Sequence, residues 1–549
     1  MNNKLFIIFF LLYLFSRLIF ANPQAVFFDS PEYLTRLSDN NFLNALSSGH
    51  LPLHVGYIMI FWPVFHLAKI INFNPALFVI FFQSVLSFAG ILCFYKIIEF
   101  LSNKKTALLS SLIVSIIPIF WISNSTIMME TTYVSFFFIS YYFFIKYSIQ
   151  TTSKYLYLGL AVFSFILSFI THIIVMFWIP LIIYNICYKN INKIPKFLFI
   201  FIITFFIASL INGYFIGIYD NSNIIRGIYL LFSSKIEEHA NLPLNIHSVL
   251  VILRNFLIPL FRNNTIALVS LSFVSEIILL KSNTKLSILI FLWVMPSLIT
   301  NQWWDSLLYG RHSLLSSFGI AFAAGLLIVK NRFFYYCLII YILISTIPAL
   351  FLLKKDIPYL MEAKTINNLS ENGLLIESHF ARPQVDKEYK GKVIFVEEPG
   401  WKKEELKNMI NENFKYNKPV FITSQALSEP YGLYSGPYLH SLSLSYSKNF
   451  ILYGTISDFT LKKYIEISKN DDLYIYKIIL NKKNNYPNIA NKKYNYRRID
   501  YYDPIMQFWF LINSQFLHYQ NYPLIYKFSM LLYSWKEHFP STKLNIRNS

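Results

Sequence analysis

A permanent cation precedes an apolar helix at Arg311, in the run Tyr309-Gly-Arg-His-Ser-Leu-Leu. An arginine at a bilayer boundary either extends its charge to the interface or holds an anion, and its planar guanidinium suits phosphate better than an ammonium does. Asp305 lies shortly before it, in the run Asn301-Gln-Trp-Trp-Asp. This Trp-rich run predicts either an interfacial aromatic belt or an amphipathic platform for a lipid and its phosphate.

An acidic pair follows the first apolar segment, with Asp29 and Glu32 in the run Phe27-Phe-Asp-Ser-Pro-Glu-Tyr. A carboxylate just above a membrane can accept a proton from a hydroxyl or bind a divalent cation. The same pattern is also typical of a helix N-terminus, with Asp29 or Ser30 as the cap and Glu32 in the first turn. Both interpretations stay open on the local sequence.

Two histidines, His50 and His54, are four residues apart in the run that ends at Tyr57. On a helix this spacing places both on one face, as in some metal sites, but Pro52 argues against a regular helix there. A pair of histidines without a third ligand is weak support for a metal.

Glu130 and His172 are the other polar residues of interest, because each lies where an apolar segment begins or ends. Polar groups at membrane depth are usually placed for a function, although both positions are also compatible with ordinary loop or interface residues.

Composition defines the class of protein. The chain has 549 residues, of which 55% are hydrophobic, 19% aromatic and only 14% charged. This predicts an α-helical polytopic membrane protein. The formal net charge of +19 fits the excess of Lys and Arg in cytoplasmic loops, so nucleic acid is not an expected partner. All three cysteines fall in apolar segments and predict no disulfide framework.

Eleven apolar runs are long enough to be spans, among them 173–188 and 286–300. Two interrupted stretches, 55–71 and 248–262, are interpreted as interfacial or re-entrant, which gives about 11 to 13 transmembrane helices. With a cytoplasmic N-terminus, eleven spans place most loop lysines inside. The same topology sends most acidic residues outward, together with the arginines at 36, 226, 254, 262 and 311. The chemistry is therefore expected on the extracytoplasmic side.

Three regions follow from charge and pattern. Residues 1–353 form the transmembrane region, with a first extracytoplasmic loop at 22–75. Residues 354–480 carry seventeen basic and sixteen acidic side chains, which predicts a small extracytoplasmic α/β domain. Its strands are predicted at Gly373–Glu377, Lys392–Val396, Pro419–Thr423 and Leu473–Ile478, and a helix is predicted from Glu404 to Phe414. The tail 481–549 is basic and aromatic, suited to an anionic membrane surface, with amphipathic helices predicted at 504–517 and 522–535.

Four motifs in order resemble the C-type glycosyltransferase (GT-C) superfamily of membrane enzymes, which includes protein O-mannosyltransferases and aminoarabinose transferases. They are Asp29-Ser-Pro-Glu-Tyr33, His50-Leu-Pro-Leu-His-Val-Gly-Tyr57, the segments Ser125–Glu130 and Gly159–Pro180 with Thr171-His172, and Tyr309-Gly-Arg-His-Ser-Leu-Leu. The match covers roughly residues 1–353. The chain departs from the pattern where Leu51 and Val55 replace prolines and where His312, in place of tyrosine, follows Arg311.

The resemblance implies a GT-C-like fold and inverting transfer of a sugar from a polyprenyl phosphate, outside the plasma membrane, to a glycan, lipid or protein acceptor. Asp29, with Glu32, would be the catalytic carboxylate, as general base or as stabiliser of the acceptor or of a divalent cation. Arg311 would bind the donor phosphate. The remaining candidates for the substrate cavity are His54, Tyr57, Glu130, His172 and Asp305.

Two other functions fit the composition. A transporter or flippase of lipid-linked saccharide also needs many helices and phosphate-binding arginines, but it predicts charges at the bilayer midplane and pseudo-symmetric halves. No internal repeat is found and the charges lie at the segment edges.

A scaffold whose outer domain only binds a partner leaves the acidic cluster without a purpose. ATP-driven transport is not expected, because no phosphate-binding loop occurs.

Overall fold

The computed structural model describes residues 3–24, 30–49, 51–150, 152–188, 191–236, 256–257, 260–261, 263–300, 310–329, 331–354, 358–368, 373–378, 385, 388–396, 403–430, 446–448, 456, 458–468 and 473–479. They belong to two compact units. The helical unit comprises Met1–Pro23 and Arg36–Phe351, and the α/β unit comprises Gln24–Thr35 and Leu352–Ile499. The predicted tail helices, and most of the stretch 248–262, lie outside the described residues.

Helices account for nearly all of the described helical unit. In chain order they are α1 Asn3–Ile19, α2 Ser30–Ser38 (which begins in the segment grouped with the α/β unit), α3 Phe42–Leu46, α4 Val55–Ile70, α5 Pro75–Leu101, α6 Lys104–Ile116, α7 Pro118–Asn124, α8 Glu130–Ile149, α9 Lys154–Thr171, α10 Ile179–Cys187, α11 Ile194–Tyr219, α12 Ile224–Ile236, α13 Ile266–Ser282, α14 Thr284–Val294, α15 Pro296–Thr300, α16 Leu314–Ile328 and α17 Arg332–Leu353. Short 3₁₀ turns occur at Ile173–Trp178, Ile191–Lys193 and Gly310–Ser313.

Four of the described helices are long and apolar enough to cross a membrane: Pro75–Leu101, Lys154–Thr171, Ile191–Tyr219 and Arg332–Phe351. The pair α6 and α7 makes a fifth if it counts as one span, bent by 62°. Six shorter apolar helices accompany them, among them Val55–Ile70, which is continuous through Pro63. The chain is thus a membrane protein, while the predicted total of eleven to thirteen spans stays a prediction.

The bend between α6 and α7 has a local cause and a buried partner. Pro118 has no N–H to continue the α6 ladder, so the last carbonyls of α6 need other donors. Arg17 of α1 supplies one, because its guanidinium donates to the Ser115 carbonyl. The same guanidinium lies 3.8 Å from the Tyr13 ring centroid and 4.8 Å from that of Trp121. A buried cation is thereby offset by the carbonyl end of a helix and by two aromatic faces.

Close helix packing in this unit depends on small residues. At Gly90 of α5, an added Cβ would lie 2.7 Å from the Ser135 Cα of α8. Small residues at such crossings let two apolar helices approach closely, which is the usual way that helices associate in membranes.

The α/β unit contains a five-stranded sheet with helices on both faces. Its elements are α18 Pro358–Asn368, β1 Leu374–Ser378, β2 Lys392–Val396, α19 Lys403–Lys415, β3 Val420–Thr423, α20 Ser424–Leu427, β4 Ser428–Pro430, β5 Tyr446–Lys448, β6 Thr460–Ser468 and β7 Leu473–Ile479. The strand order is β2-β1-β3-β7-β6, in which β1 pairs parallel with β2 and β3, and β7 pairs antiparallel with β3 and β6. Strands β4 and β5 pair antiparallel in a separate two-stranded sheet.

Alternation along the strands explains the two cores of this unit. Leu374 and Ile376 of β1 pack in one core with Leu406 and Ile410 of α19. Leu375, between them, belongs to the opposite core, together with residues of α18. The period of two along a strand produces this division.

Candidate functional site

Three buried histidines from distant parts of the chain meet in the helical unit. The ring centroids of His54 and His172 are 5.2 Å apart, and those of His172 and His312 are 5.4 Å apart. The Tyr133 ring of α8 lies 5.3 Å from the His172 ring. Each of the three histidines is 5% or 6% exposed. We call His54, His172 and His312 the histidine cluster.

His54 is held at the N-terminus of α4 by the end of α9. Its Nδ1 lies 3.0 Å from the Thr171 carbonyl oxygen. The backbone of His54 is left-handed, with φ of 46°. On the preceding residue, the Leu53 carbonyl accepts a hydrogen bond of 2.5 Å from Nη1 of the buried Arg36. Arg36 therefore serves as a structural donor to this loop.

Gly56 makes the contact between α4 and α9 possible. A Cβ at this position would lie 2.7 Å from the Thr171 backbone nitrogen. Without that Cβ, the first turn of α4 can approach the last turn of α9. This is the approach that brings His54 to the Thr171 carbonyl.

His172 lies where α9 ends and a 3₁₀ turn begins. Its Nδ1 accepts a hydrogen bond of 3.3 Å from the Ile174 N–H, so the imidazole caps the turn Ile173–Trp178. In the last turns of α9, the Ser168 hydroxyl donates to the Tyr133 carbonyl at 2.7 Å, which ties α9 to α8. The hydrogen bond from Ile174 thereby orients the imidazole, and the bond between Ser168 and Tyr133 holds the end of α9 against α8.

Glu130 and Tyr57 are both buried in the helical unit. Glu130 is fully buried at the first position of α8, one helical turn before Tyr133. Its carboxylate interacts electrostatically with the Tyr57 phenol. Tyr57, in the first turn of α4, donates to Gln83 Oε1 at 3.1 Å. Two helices therefore bring a carboxylate and a phenol together.

Gln83 of α5 organises the loop that leads to Glu130. Its Nε2 donates to the carbonyls of Ser123 at 2.9 Å and of Thr126 at 3.1 Å, while its Oε1 accepts from Tyr57. A buried amide that satisfies three partners fixes their relative positions. Gln83 is therefore a positioning residue for this group.

The turn that carries Arg311 is anchored on both sides. Gly310–Ser313 forms the 3₁₀ turn before α16, and the Ser313 hydroxyl accepts from Asn263 Nδ2 at 2.8 Å. Within α16, the Ser316 hydroxyl lies 3.2 Å from the Trp293 carbonyl oxygen at the end of α14. Because His312 contacts His172, the backbone of Arg311 adjoins the histidine cluster.

The structure brings together four of the residues predicted for the substrate cavity, namely His54, Tyr57, Glu130 and His172. Glu32 is half-buried in the first turn of α2 and belongs to the segment grouped with the α/β unit. Outside the described residues lie Asp29, His50, Asp305 and the side chain of Arg311.

Three members of this group were not predicted. Gln83 sits inside a long apolar run, where a lone amide is itself a signal of a buried hydrogen-bond network. His312 was noted only as a departure from the motif around Arg311. Tyr133 has no distinguishing signal in a segment rich in Phe and Tyr.

A metal centre is not formed by the described parts of the chain: among them, no group of three or more His, Cys, Asp or Glu side chains could hold a metal ion. The rings of the histidine cluster pack at angles of 51° and 80°. The divalent cation considered for Asp29 concerns a residue outside the described set and stays a prediction.

Comparison with solved structures finds ArnT from Cupriavidus metallidurans. The form bound to undecaprenyl phosphate has a TM-score of 0.49 and 7% sequence identity, with 90% of this chain and 100% of that chain covered. The apo form has the same TM-score and identity, with 87% and 98% covered. No protein-family model and no curated protein sequence matches the chain.

Proposed function

We propose that the chain is an inverting glycosyltransferase that moves a hexose or pentose from a polyprenyl phosphate to an acceptor on the extracytoplasmic side of the plasma membrane. The observation that carries the proposal is the buried group of Glu130, Tyr57 and the histidine cluster, adjoining the turn of Arg311. Ionisable side chains inside an apolar helical unit are costly and are usually retained for a function.

The reaction explains the residue types. An acceptor hydroxyl attacks the anomeric carbon, its proton passes to a base, and the bond from that carbon to the phosphate oxygen breaks. The leaving lipid phosphate gains negative charge, which the Arg311 guanidinium stabilises. Asp29 and Glu32 act on the acceptor hydroxyl, directly or by holding it in place. The α/β unit contributes to the choice of glycan, lipid or protein acceptor.

Sugar transfer by the purified protein tests the proposal. Protein in lipid nanodiscs is given a panel of undecaprenyl-phosphate sugars, with membrane extracts as the source of acceptor. We expect transfer with at least one donor, and a loss of about 100-fold or more in Asp29→Asn and in Arg311→Ala, the size seen when a transition-state charge contact is removed. Matched controls are Asp220→Asn and Arg332→Ala, both at exposed positions, which should transfer normally.

Two results would overturn the proposal. Full activity of Asp29→Asn and Arg311→Ala would remove both assigned roles. Specific binding of the lipid-linked sugars by folded protein, without transfer to any acceptor, would favour the flippase instead.

Sidedness is tested separately by labelling. Cysteines introduced at exposed positions, Tyr416→Cys in the α/β unit and Lys105→Cys at the start of α6, are treated in intact cells with a membrane-impermeant maleimide. The proposal expects labelling of the first and not of the second. The reverse pattern would place the α/β unit in the cytoplasm.

A further inference from the structure

Helix α4 carries three hydrogen-bond donors on one face. Trp62, His66 and Lys69 follow each other at spacings of four and three residues, which places them on one side of a helix. Trp62 and His66 are half-buried, and Lys69 is exposed. The rings of Trp62 and His66 pack together, with their centroids 4.1 Å apart and an angle of 35° between their planes.

All three donors are directed at the end of α2. Trp62 Nε1 donates to the Asp39 carbonyl at 2.8 Å, and His66 Nε2 lies 3.0 Å from the same oxygen. Lys69 Nζ donates to the Ser38 carbonyl at 3.2 Å. Because a carbonyl oxygen can only accept, His66 must donate through Nε2. We call Trp62, His66 and Lys69 the capping row.

The end of a helix favours such donors. The last carbonyls of a helix have no N–H partner within it, and they carry the negative end of its dipole. Ser38 is the last residue of α2, and Asp39 follows it. Water can satisfy exposed carbonyls, whereas side chains from another helix also fix the direction in which the capped helix points. The capping row is therefore a C-terminal cap for α2 that α4 supplies.

Arg36 adds further contacts to the same turn of α2. Its guanidinium is 2% exposed and donates to the Ala45 carbonyl at 2.9 Å and to the Leu53 carbonyl at 2.5 Å. Leu53 precedes His54 at the start of α4. The last turn of α2 is thus connected to the beginning of α4 as well as to its second half.

The other end of α2 carries the carboxylates to which catalysis is assigned above. Glu32 lies in the first turn, and Asp29 immediately precedes the helix in sequence. With only nine residues, α2 is too short to be stable alone, so its order depends on tertiary contacts. From Ser38 to Glu32 the helix rises about 9 Å, so a tilt of about 10° at the capped end would displace Glu32 by about 1.5 Å.

We propose that Trp62, His66 and Lys69 are positioning residues for sugar transfer, because they fix the direction of α2 and with it the carboxylates that act on the acceptor hydroxyl. This inference rests on the proposed function and extends it to residues that contact neither substrate. A misplacement of about 1 Å at the reacting groups can slow a reaction about 100-fold. The phosphate of the lipid-linked sugar is assigned to Arg311, so its binding should not depend on the capping row.

Substitutions at His66 separate the hydrogen bond from the packing. In His66→Gln, the amide Nε2 can still donate to the Asp39 carbonyl, whereas His66→Leu fills a similar volume and has no donor. Trp62→Phe removes the indole N–H and keeps an aromatic ring. Lys69→Met keeps an unbranched side chain and removes the charge. Lys105→Met, at an exposed position at the start of α6, is the matched control.

Transfer kinetics and equilibrium binding of the lipid-linked sugar are measured in nanodiscs. We expect kcat to fall about 10-fold in His66→Leu and about 100-fold when Trp62→Phe is combined with it, the range for a misplaced catalytic group. Lys69→Met should lower kcat only about twofold, because an exposed charge contributes little. The Kd for the lipid-linked sugar should not change, and His66→Gln and Lys105→Met should transfer at close to the wild-type rate.

Amide hydrogen exchange tests the same contacts in the absence of substrate. The amides of α2 should exchange about 10-fold faster in His66→Leu than in the wild type, which is the size of one lost hydrogen bond. In His66→Gln they should exchange at close to the wild-type rate. Exchange in α5 should be the same in all variants, since the capping row makes no hydrogen bond to it.

Each result supports or overturns the inference. Faster exchange in α2 with a wild-type kcat would make the capping row structural only, so the inference would be wrong while the glycosyltransferase stands. Equal kcat in His66→Gln and His66→Leu, or a rise in the Kd for the lipid-linked sugar that matches the fall in kcat, would have the same consequence. If the wild-type protein transfers no sugar from any undecaprenyl phosphate, the proposed function fails and the inference fails with it.

Discussion

Replacement of Gly56 by alanine should separate α4 from α9 and disable the candidate site without removing a polar side chain. The added Cβ would lie 2.7 Å from the Thr171 backbone nitrogen and 2.8 Å from Ile170 Cγ1. The first of these atoms is main chain at the end of a helix and cannot rotate away. One helix must therefore shift, and the contact between His54 and the Thr171 carbonyl is the first hydrogen bond that the shift affects.

Three contributions determine how much Gly56→Ala changes the free energy of unfolding. Overpacking of a filled site costs about 1–3 kcal/mol. Loss of the hydrogen bond from His54 costs about 1 kcal/mol. The intrinsic preference of alanine over glycine in a helix returns about 0.5–1 kcal/mol. We therefore expect Gly56→Ala to lower the free energy of unfolding by about 1–3.5 kcal/mol, the sum of these contributions.

Thermal unfolding in detergent and sugar transfer in nanodiscs measure the two consequences. Gly159→Ala is the matched control, because it is a glycine of α9 with open space around the position of the added Cβ. It should melt at or above the wild-type temperature and transfer sugar normally, whereas Gly56→Ala should melt lower and transfer more slowly. Wild-type melting and wild-type transfer in Gly56→Ala would refute the reasoning, since the close approach would then not hold His54 in place.

Two further substitutions test buried hydrogen bonds. Gln83→Leu removes the hydrogen bonds that Gln83 makes to the Tyr57 hydroxyl and to two loop carbonyls, each at about 0.5–1.5 kcal/mol. We therefore expect a lower melting temperature and impaired transfer; unchanged transfer would show that Gln83 does not position the site. Thr423→Val keeps the shape but removes a hydroxyl that donates to the buried Glu377 at 2.6 Å and accepts from the Ala426 N–H at 3.1 Å. It should destabilise the α/β unit by about 1–3 kcal/mol in a thermal unfolding measurement, with Thr423→Ser as the conservative control, and equal stability of the two variants would contradict this.

The local sequence pattern was sufficient to predict most of the strands and one of the helices of the α/β unit. The predicted strands at Gly373–Glu377, Lys392–Val396, Pro419–Thr423 and Leu473–Ile478 and the helix from Glu404 to Phe414 are confirmed to within a residue or two at their ends. Each of these strands contains at least three consecutive apolar residues, a pattern typical of strands in a sheet that is covered by helices on both faces. Strand β6, Thr460–Ser468, was not predicted, because Lys462 and Lys463 give this edge strand the charged pattern that edges commonly carry.

Apolar composition identified helical segments but not their breaks. The run 173–188, predicted as one span, is a 3₁₀ turn followed by α10, and the run 286–300 is divided at Pro296 into α14 and α15. In both runs a proline, Pro180 or Pro296, stands at the first or second position of the second helix. A proline predicts such a break only when the packing around it does not restore a continuous helix.

The departures from the family motifs are informative once the structure places them. His312 occupies the position after Arg311 where the resemblance leads one to expect tyrosine. In the sequence alone, this histidine only lowers the agreement with the family motif. In the structure it contacts His172, which contacts His54 in the other motif that departs from the pattern. His54 and His312, which are more than 250 residues apart along the sequence, therefore both contact His172. The candidate site contains three imidazoles, and His312, which weakens the match to the motif, is one of them. A sequence comparison made position by position cannot detect this, because the coupling exists only where the ends of α9 and α16 come together.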